Sequence, residues 1–218
     1  MFVGHFALGL AGKRVAPSLS LGTLLLAASF LDLLWPTFLL LGLEEVQVAP
    51  GITAVTPLDF VSYPYSHSLA AAAGWAAVFG GVVWLWRSRV DASLLLVGLV
   101  LSHWLLDFAS HRPDLPLDLG GPTRVGLGLW YSLPATLAVE LLLFAAGAVI
   151  YGRTTVAEDR IGRYGLWGLV VFLLAAYLAA VLGPPPPNAE MLGWGGQSVW
   201  LLVLWGFWVD RHRRPVRD

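Results

Sequence analysis

The chain has 218 residues, 57% of them hydrophobic and 12% charged, with a formal net charge of −1 and no cysteine. A soluble domain carries about 25% charged residues, and one core of this size would not absorb so many apolar runs, so lipid is the expected cover for much of the surface. Nucleic-acid binding is excluded because no basic stripe with interleaved aromatics occurs, and the missing cysteines exclude disulfides, thiolate catalysis and thiolate zinc sites.

Residues 1–12 are apolar but too short to span a bilayer, and the positives Lys13 and Arg14 come after them. A signal peptide has the opposite order, so no cleavage is expected and the segment reads as a half-helix or re-entrant piece. A spanning helix needs about 20 mostly apolar residues. Six stretches qualify, at roughly 18–43, 66–87, 91–111, 126–151, 161–183 and 192–209, the last being the shortest. Loops 44–65, 112–125 and 184–193 are rich in Pro, Gly and acidic residues, and the run Pro184–Pro187 is a stiff extended connector. Trp35, Trp86, Trp130, Trp194 and Trp208 lie near the ends of the apolar runs, where a half-wet indole is favoured. The expected fold is an all-α integral membrane protein, with about six transmembrane helices plus a short N-terminal half-helix. It reads as one membrane domain over 1–218, with the motifs in 1–125 and supporting helices in 126–218.

Orientation follows from the basic residues. One set of loops holds Lys13, Arg14, Arg87, Arg89, Arg153, Arg160, Arg163, Arg211, Arg213, Arg214 and Arg217, and the other holds Arg112 and Arg124. Positive loops face the cytoplasm, so the C-terminus is expected inside, the chain in the cytoplasmic (inner) membrane, and loop 44–65, with Glu44, Glu45 and Asp59, outside.

Ionisable side chains inside spans are costly and mark function. Here they are Asp32, His103, Asp107 and Glu140, with His67 and His111 at helix ends and His5 in the short first segment. His212, in the basic tail, reads as a solvated surface residue. At ~1.5 Å per helical residue, most of the set lies roughly 17–30 Å above the cytoplasmic helix ends, with His5 at about 12 Å. Scattered structural polar groups would not share a depth.

The sharpest feature is His103-x3-Asp107-x3-His111, whose spacing of four puts all three on one helix face; Pro113 follows and ends the helix. Imidazole and carboxylate one turn apart can grip one metal ion. A hydrogen-bonding stripe between helices is the other reading of His-x3-Asp alone; with His111, His67 and Asp32 added, metal is favoured. His67 lies in Tyr63-Pro-Tyr-Ser-His-Ser68, where Ser66 is expected to cap the second span. No Lys or Arg lies within any span, so Asp32 has no basic partner there, which argues for a metal or for protonated carboxyls. Glu140 is a ligand, a general base or a hydrogen-bonding partner behind a histidine, the last two being preferred. Asp114 is a reserve candidate beside His111.

At these residues the chain resembles the YdjM-like family of membrane-bound metal-dependent hydrolases. The likeness lies in the order of four short motifs over about the first 120 residues. Gly4-His5 matches the N-terminal Gly-His, and Asp32, with Pro36 behind it, matches the first carboxylate of Pro-Asp-x-Asp-His-Pro. Ser66-His67-Ser68 matches Thr-His-Ser, and Leu101-Ser-His103-x3-Asp107 matches Leu-Ser-His-x3-Asp, the most specific of the four. Leu34 stands where the family has its second carboxylate, and Ser62 where it has a further histidine. The family is thought to share a metal-binding pattern with zinc-dependent phospholipase C-type enzymes, so the resemblance implies a metal site and hydrolysis.

The ligand pool is then His5, Asp32, His67, His103, Asp107 and His111, enough for one or two ions. An imidazole-rich set favours zinc, with manganese next. Asp32 or Glu140 is the candidate general base. The expected activity is hydrolysis of a lipid-like or small phosphoester substrate near the outer face. The alternative is a metal-ion or proton transporter using the same residues, and a scaffold with a stabilising metal is a third reading.

Overall fold

The computed structural model describes residues 1–216. Arg217, and the side chain of Arg87, lie outside the described part. Ten α-helices occur among the described residues: α1 Val3–Val15, α2 Leu21–Ala28, α3 Phe30–Leu40, α4 Pro64–His67, α5 Leu69–Arg87, α6 Val90–Ser110, α7 Leu133–Thr154, α8 Arg160–Leu182, α9 Ala189–Gly196 and α10 Val199–Asp210. Three two-stranded antiparallel ribbons tie the loops: β1 Glu45–Val48 with β2 Leu58–Ser62, β3 Leu115–Pro116 with β4 Arg124–Val125, and β5 Thr155–Ala157 with β6 Arg213–Pro215.

The chain is a membrane protein by its helices. Four of them, α5 to α8, are long and apolar enough to cross a bilayer, and the bent pair α2–α3 makes up to five. Segment 192–209, expected as one span, is two short helices, α9 of 8 residues and α10 of 12. Neither alone covers a hydrocarbon core of about 30 Å at ~1.5 Å per residue. Gly193 of α9 meets Leu40 of α3, and Gly206 of α10 meets Gly22 of α2, so the pair packs along the broken helix opposite it.

The expected first span, 18–43, is broken at Ser29, where α2 and α3 bend by 58°. Ser20 caps α2 by accepting the Thr23 N–H. Pro36 sits inside α3 and supplies no N–H to the carbonyl of Asp32, four residues back. The short α1 packs on α7 so closely that a Cβ on Gly147 would come within 2.4 Å of the Ala7 carbonyl oxygen; only glycine fits there.

Contacts gather the basic residues at one end of the bundle. Lys13 pairs with Asp210, Arg89 reaches Ser18, and Arg213 binds Thr155 and Gly162. Asp159 caps α8 there by accepting the Gly162 N–H; that bond and His212 hold its carboxyl below the usual range. Arg112 and Arg124 are tied instead to Asp114, far along α6 from Arg89.

Candidate metal centre

Four helices deliver a His or an Asp to one place. α1 brings His5, the first turn of α3 brings Asp32, α4 brings His67, and α6 brings His103 and Asp107 one turn apart. They form two groups that share His103, namely His5, His103, Asp107 and Asp32, His67, His103, with the candidate ligand atoms of each group within 4.8 Å of one another. All are buried except Asp32, whose side chain keeps 27% exposure.

The partners of the outward ring nitrogens decide what the inward ones carry. His103 Nδ1 lies 2.8 Å from the carbonyl oxygen of Ala28, which only accepts, so Nδ1 holds a proton and, in the neutral ring, Nε2 a lone pair. In an unbroken helix that carbonyl would take the Asp32 N–H; the break at Ser29 makes it available. His67 Nδ1 lies 2.7 Å from Ser66 Oγ, and Ser66 Oγ gives its one proton to Glu44 Oε2 at 2.6 Å. Ser66 therefore accepts from His67 Nδ1–H, and His67 Nε2 is also bare.

The two bare nitrogens face two carboxylate oxygens. His103 Nε2 is 3.2 Å from Asp107 Oδ2 and 3.6 Å from Asp32 Oδ1; His67 Nε2 is 3.6 Å from each. Ligands about 2.0–2.2 Å from a tetrahedral ion stand about 3.3–3.6 Å from each other. N–H···O bonds run ~2.7–3.2 Å, so three of the four contacts are too long for hydrogen bonds and match the spacing of two ligands on one metal ion. His103 Nε2 is buried with no hydrogen-bond partner at all. The cluster is a buried His/Asp group of a kind that can hold a metal ion.

His5 stands at the side of this set. Its ring stacks on His103, with centroids 3.5 Å apart and planes 2° from parallel. Its Nε2 is 3.1 Å from Asp107 Oδ1, and its Nδ1 is buried without a partner. The Met1 nitrogen also donates to Asp107 Oδ1, and to Ser110 Oγ at 3.1 Å. These contacts hold Asp107 by one oxygen and leave Oδ2 toward His67 and His103.

His111 is not brought into either group. α6 ends at Ser110, and His111 is extended, with φ −62° and ψ 147°, so the helical spacing from Asp107 no longer applies. Its Nδ1 is 2.9 Å from Asp114 Oδ1 and 3.2 Å from the Tyr63 hydroxyl, and its ring packs on Phe60 and Trp130. Asp114 stays with it there. Glu140 also stands apart from the ligand atoms: its Oε2 accepts the N–H of Phe2 at 2.8 Å and of Gly4 at 3.2 Å. A carboxylate suits a helix N-terminus, and Glu140 thereby fixes the turn that carries His5. Ser66 is not the cap of α5, which belongs to Ser68.

Sequence reasoning missed Glu44. It is buried, accepts both the N–H and the hydroxyl of Ser66, and sets the His67 ring. Burial pushes its carboxyl up from the ordinary value while the Ser66 donors pull it back. No local pattern marks it, because two adjacent glutamates in a loop read as solvated.

Beside the cluster is a cavity of about 270 Å³, walled mainly by apolar and aromatic side chains. Among the cluster residues Asp32 alone lines it, and Glu140 lines it from α7. Compared with known protein families, curated proteins and solved structures, the chain matches none of them.

Proposed function

We propose that the protein is a membrane-embedded metal-dependent hydrolase acting on a lipid-like or small phosphoester substrate. The observation that carries this is the convergence of two imidazole lone pairs and two carboxylate oxygens at 3.2–3.6 Å, with both outward nitrogens already engaged. His67, His103, Asp32 and Asp107 hold the ion, with His5 against Asp107 or binding a second one. Zinc suits these donors best and manganese next. The resemblance to the YdjM-like hydrolases points the same way. By the distribution of basic residues the site faces the outer half of the inner membrane, with the C-terminus in the cytoplasm.

A bound divalent ion supplies Lewis acidity, polarising a phosphoryl or acyl oxygen and activating water. The chain's own groups do the rest. Asp32, half-open to the cavity, takes the proton of the attacking water, with Glu140 the next carboxylate along the wall. The water oxygen bonds to phosphorus or acyl carbon, the ester bond to the leaving oxygen breaks, and the proton passes to that oxygen. The apolar cavity holds the substrate's hydrocarbon part. Against transport by the same residues stands the buried layer between the cluster and the basic end, which includes Leu10, Leu24, Leu96 and Leu99.

Elemental analysis of the purified protein tests this. Wild type should carry about one or two equivalents of a transition metal, and His103→Ala and Asp107→Ala should lose most of it. Full metal content in both variants would remove these residues from the ligand set. In proteoliposomes the metal-loaded protein should cleave a fluorogenic phosphoester lipid; zinc flux without cleavage would favour the transporter.

A further inference from the structure

Two helices of the bundle run side by side in the same direction and end in arginines. The Gly4 N–H of α1 goes to Glu140 of α7, and Ala7 lies against Gly147. Further on, Ala11, Arg14 and Val15 share one groove with Ile150, Arg153 and Thr154. These matched steps bring the last turns of both helices out together at the basic end. Arg14 and Arg153 are both exposed there, and among the described residues none that lines the groove is acidic.

The carboxylates of this end are engaged elsewhere. Asp210 pairs with Lys13, Asp91 with Arg89, Asp159 with His212 and Glu158 with Arg214. Among the described residues Arg14 and Arg153 have no ion-pair partner. The end of α7 does not call on them either. The Thr154 and Thr155 hydroxyls donate to the carbonyls of Ile150 and Tyr151 at 2.7 and 2.9 Å, and the Val216 N–H donates to that of Thr154. Two guanidiniums on one groove with no counter-charge repel each other, so the groove is complementary to an anion. A second groove at the same end also has two arginines, Arg160 and Arg163, but Glu158 and Asp159 line it with them.

The surroundings identify the anion. The 22 residues of α7 cover about 33 Å at ~1.5 Å each, close to the hydrocarbon core of a bilayer, so Arg153 in the last turn stands at the headgroup level. On the same helix face, four and eleven residues back, Val149 is 47% and Leu142 72% exposed. A lipid phosphate between the arginines would lay its acyl chains on that apolar stripe. Guanidinium takes phosphate oxygens in pairs, and basic pockets between membrane helices suit anionic headgroups. A choline or ethanolamine headgroup would bring a third cation to the pair.

We propose that the groove between the ends of α1 and α7 binds an anionic phospholipid, one whose headgroup carries no amine. Arg14 and Arg153 hold the phosphate, and an acyl chain runs along Val149 and Leu142. The site is separate from the metal centre and does not rest on the function proposed above.

Native mass spectrometry of the full chain in mild detergent tests this, with dioleoyl phosphatidylglycerol, dioleoyl phosphatidylcholine and inorganic phosphate as probes. Wild type should retain phosphatidylglycerol about tenfold more tightly than phosphatidylcholine. Arg14→Gln combined with Arg153→Gln should remove that preference, with each single variant between. Arg160→Gln combined with Arg163→Gln takes the same charge from the neighbouring groove and should leave the preference intact. All four side chains are exposed, so both double variants should keep the metal content and unfolding temperature of wild type. Equal retention of the two lipids by wild type would overturn the proposal without any variant. So would an equal loss in the two double variants, since the diffuse charge of the basic end would then be what attracts the lipid. Displacement of phosphatidylglycerol by millimolar inorganic phosphate would overturn the lipid and leave a plain anion site.

Discussion

Two buried polar clusters sit at opposite ends of this bundle, and they are satisfied in different ways. At the basic end Lys13 Nζ lies 2.8 Å from Asp210 Oδ2 and donates to the Leu19 carbonyl at 2.7 Å. Tyr151 donates to the other Asp210 oxygen at 2.8 Å, and the Arg213 guanidinium covers the Tyr151 ring at 5.5 Å. Every acceptor there faces a donor, and the cation belongs to the chain. At the other end the Nε2 atoms of two imidazoles face two carboxylates. The Met1 nitrogen serves one oxygen of Asp107, while the contacts of Asp32 are those nitrogens, at 3.6 Å. With both rings neutral, four lone-pair donors pointed at one another in low dielectric repel unless a cation lies between them. The first cluster is closed by its own chain; the second is of a kind that can hold a metal ion.

The contrast should appear first on removal of metal. A chelator should lower the stability of the metal-loaded protein by about 4 kcal/mol when free ion had stood at a thousand times its dissociation constant. His103→Ala should show no such response. Thermal unfolding in nanodiscs, with and without chelator, reads this, and a wild type indifferent to chelator would break the contrast. The basic end should behave the opposite way. Lys13→Met leaves Asp210 half-buried without its cation, and should cost about 3 kcal/mol whatever the metal. Lys13→Met with Asp210→Asn should recover most of it; a double variant no better than the single would mean that the ion pair is not what Lys13 contributes.

How much of this is legible in the sequence depends on whether the cause is local. The long helices α5 to α8 follow from apolar runs bounded by Pro, Gly and charge, and their ends fall within a few residues of the expected spans, apart from the late start of α7 at Leu133. His103 and Asp107 share a face because both lie inside α6. His111 sits at the same spacing but beyond the last helical residue, where Arg112 before Pro113 already favours extended backbone. The break at Ser29 has no Pro or Gly to announce it. The Ala28 carbonyl that it leaves open meets His103, 75 positions away, a tertiary partner that no window of sequence contains. Glu44 is hidden for the same reason, since it becomes part of the site only once Ser66 folds back onto it.

Ser66 and Ser68 allow the finest test, being two residues apart, both fully buried, and employed differently. Ser66 relays between Glu44 and His67, so Ser66→Ala frees the His67 ring and should weaken metal binding about 10–100-fold, with Ser66→Thr restoring it. Competition with a chelating dye measures this. Ser68 instead accepts the Ala71 N–H at 3.0 Å and caps α5. Ser68→Ala should cost about 1 kcal/mol of stability and leave the metal dissociation constant where it was. Equal losses of metal affinity in the two alanine variants would mean that the segment as a whole is being loosened, and the hydrogen bond to His67 Nδ1 would lose its special standing.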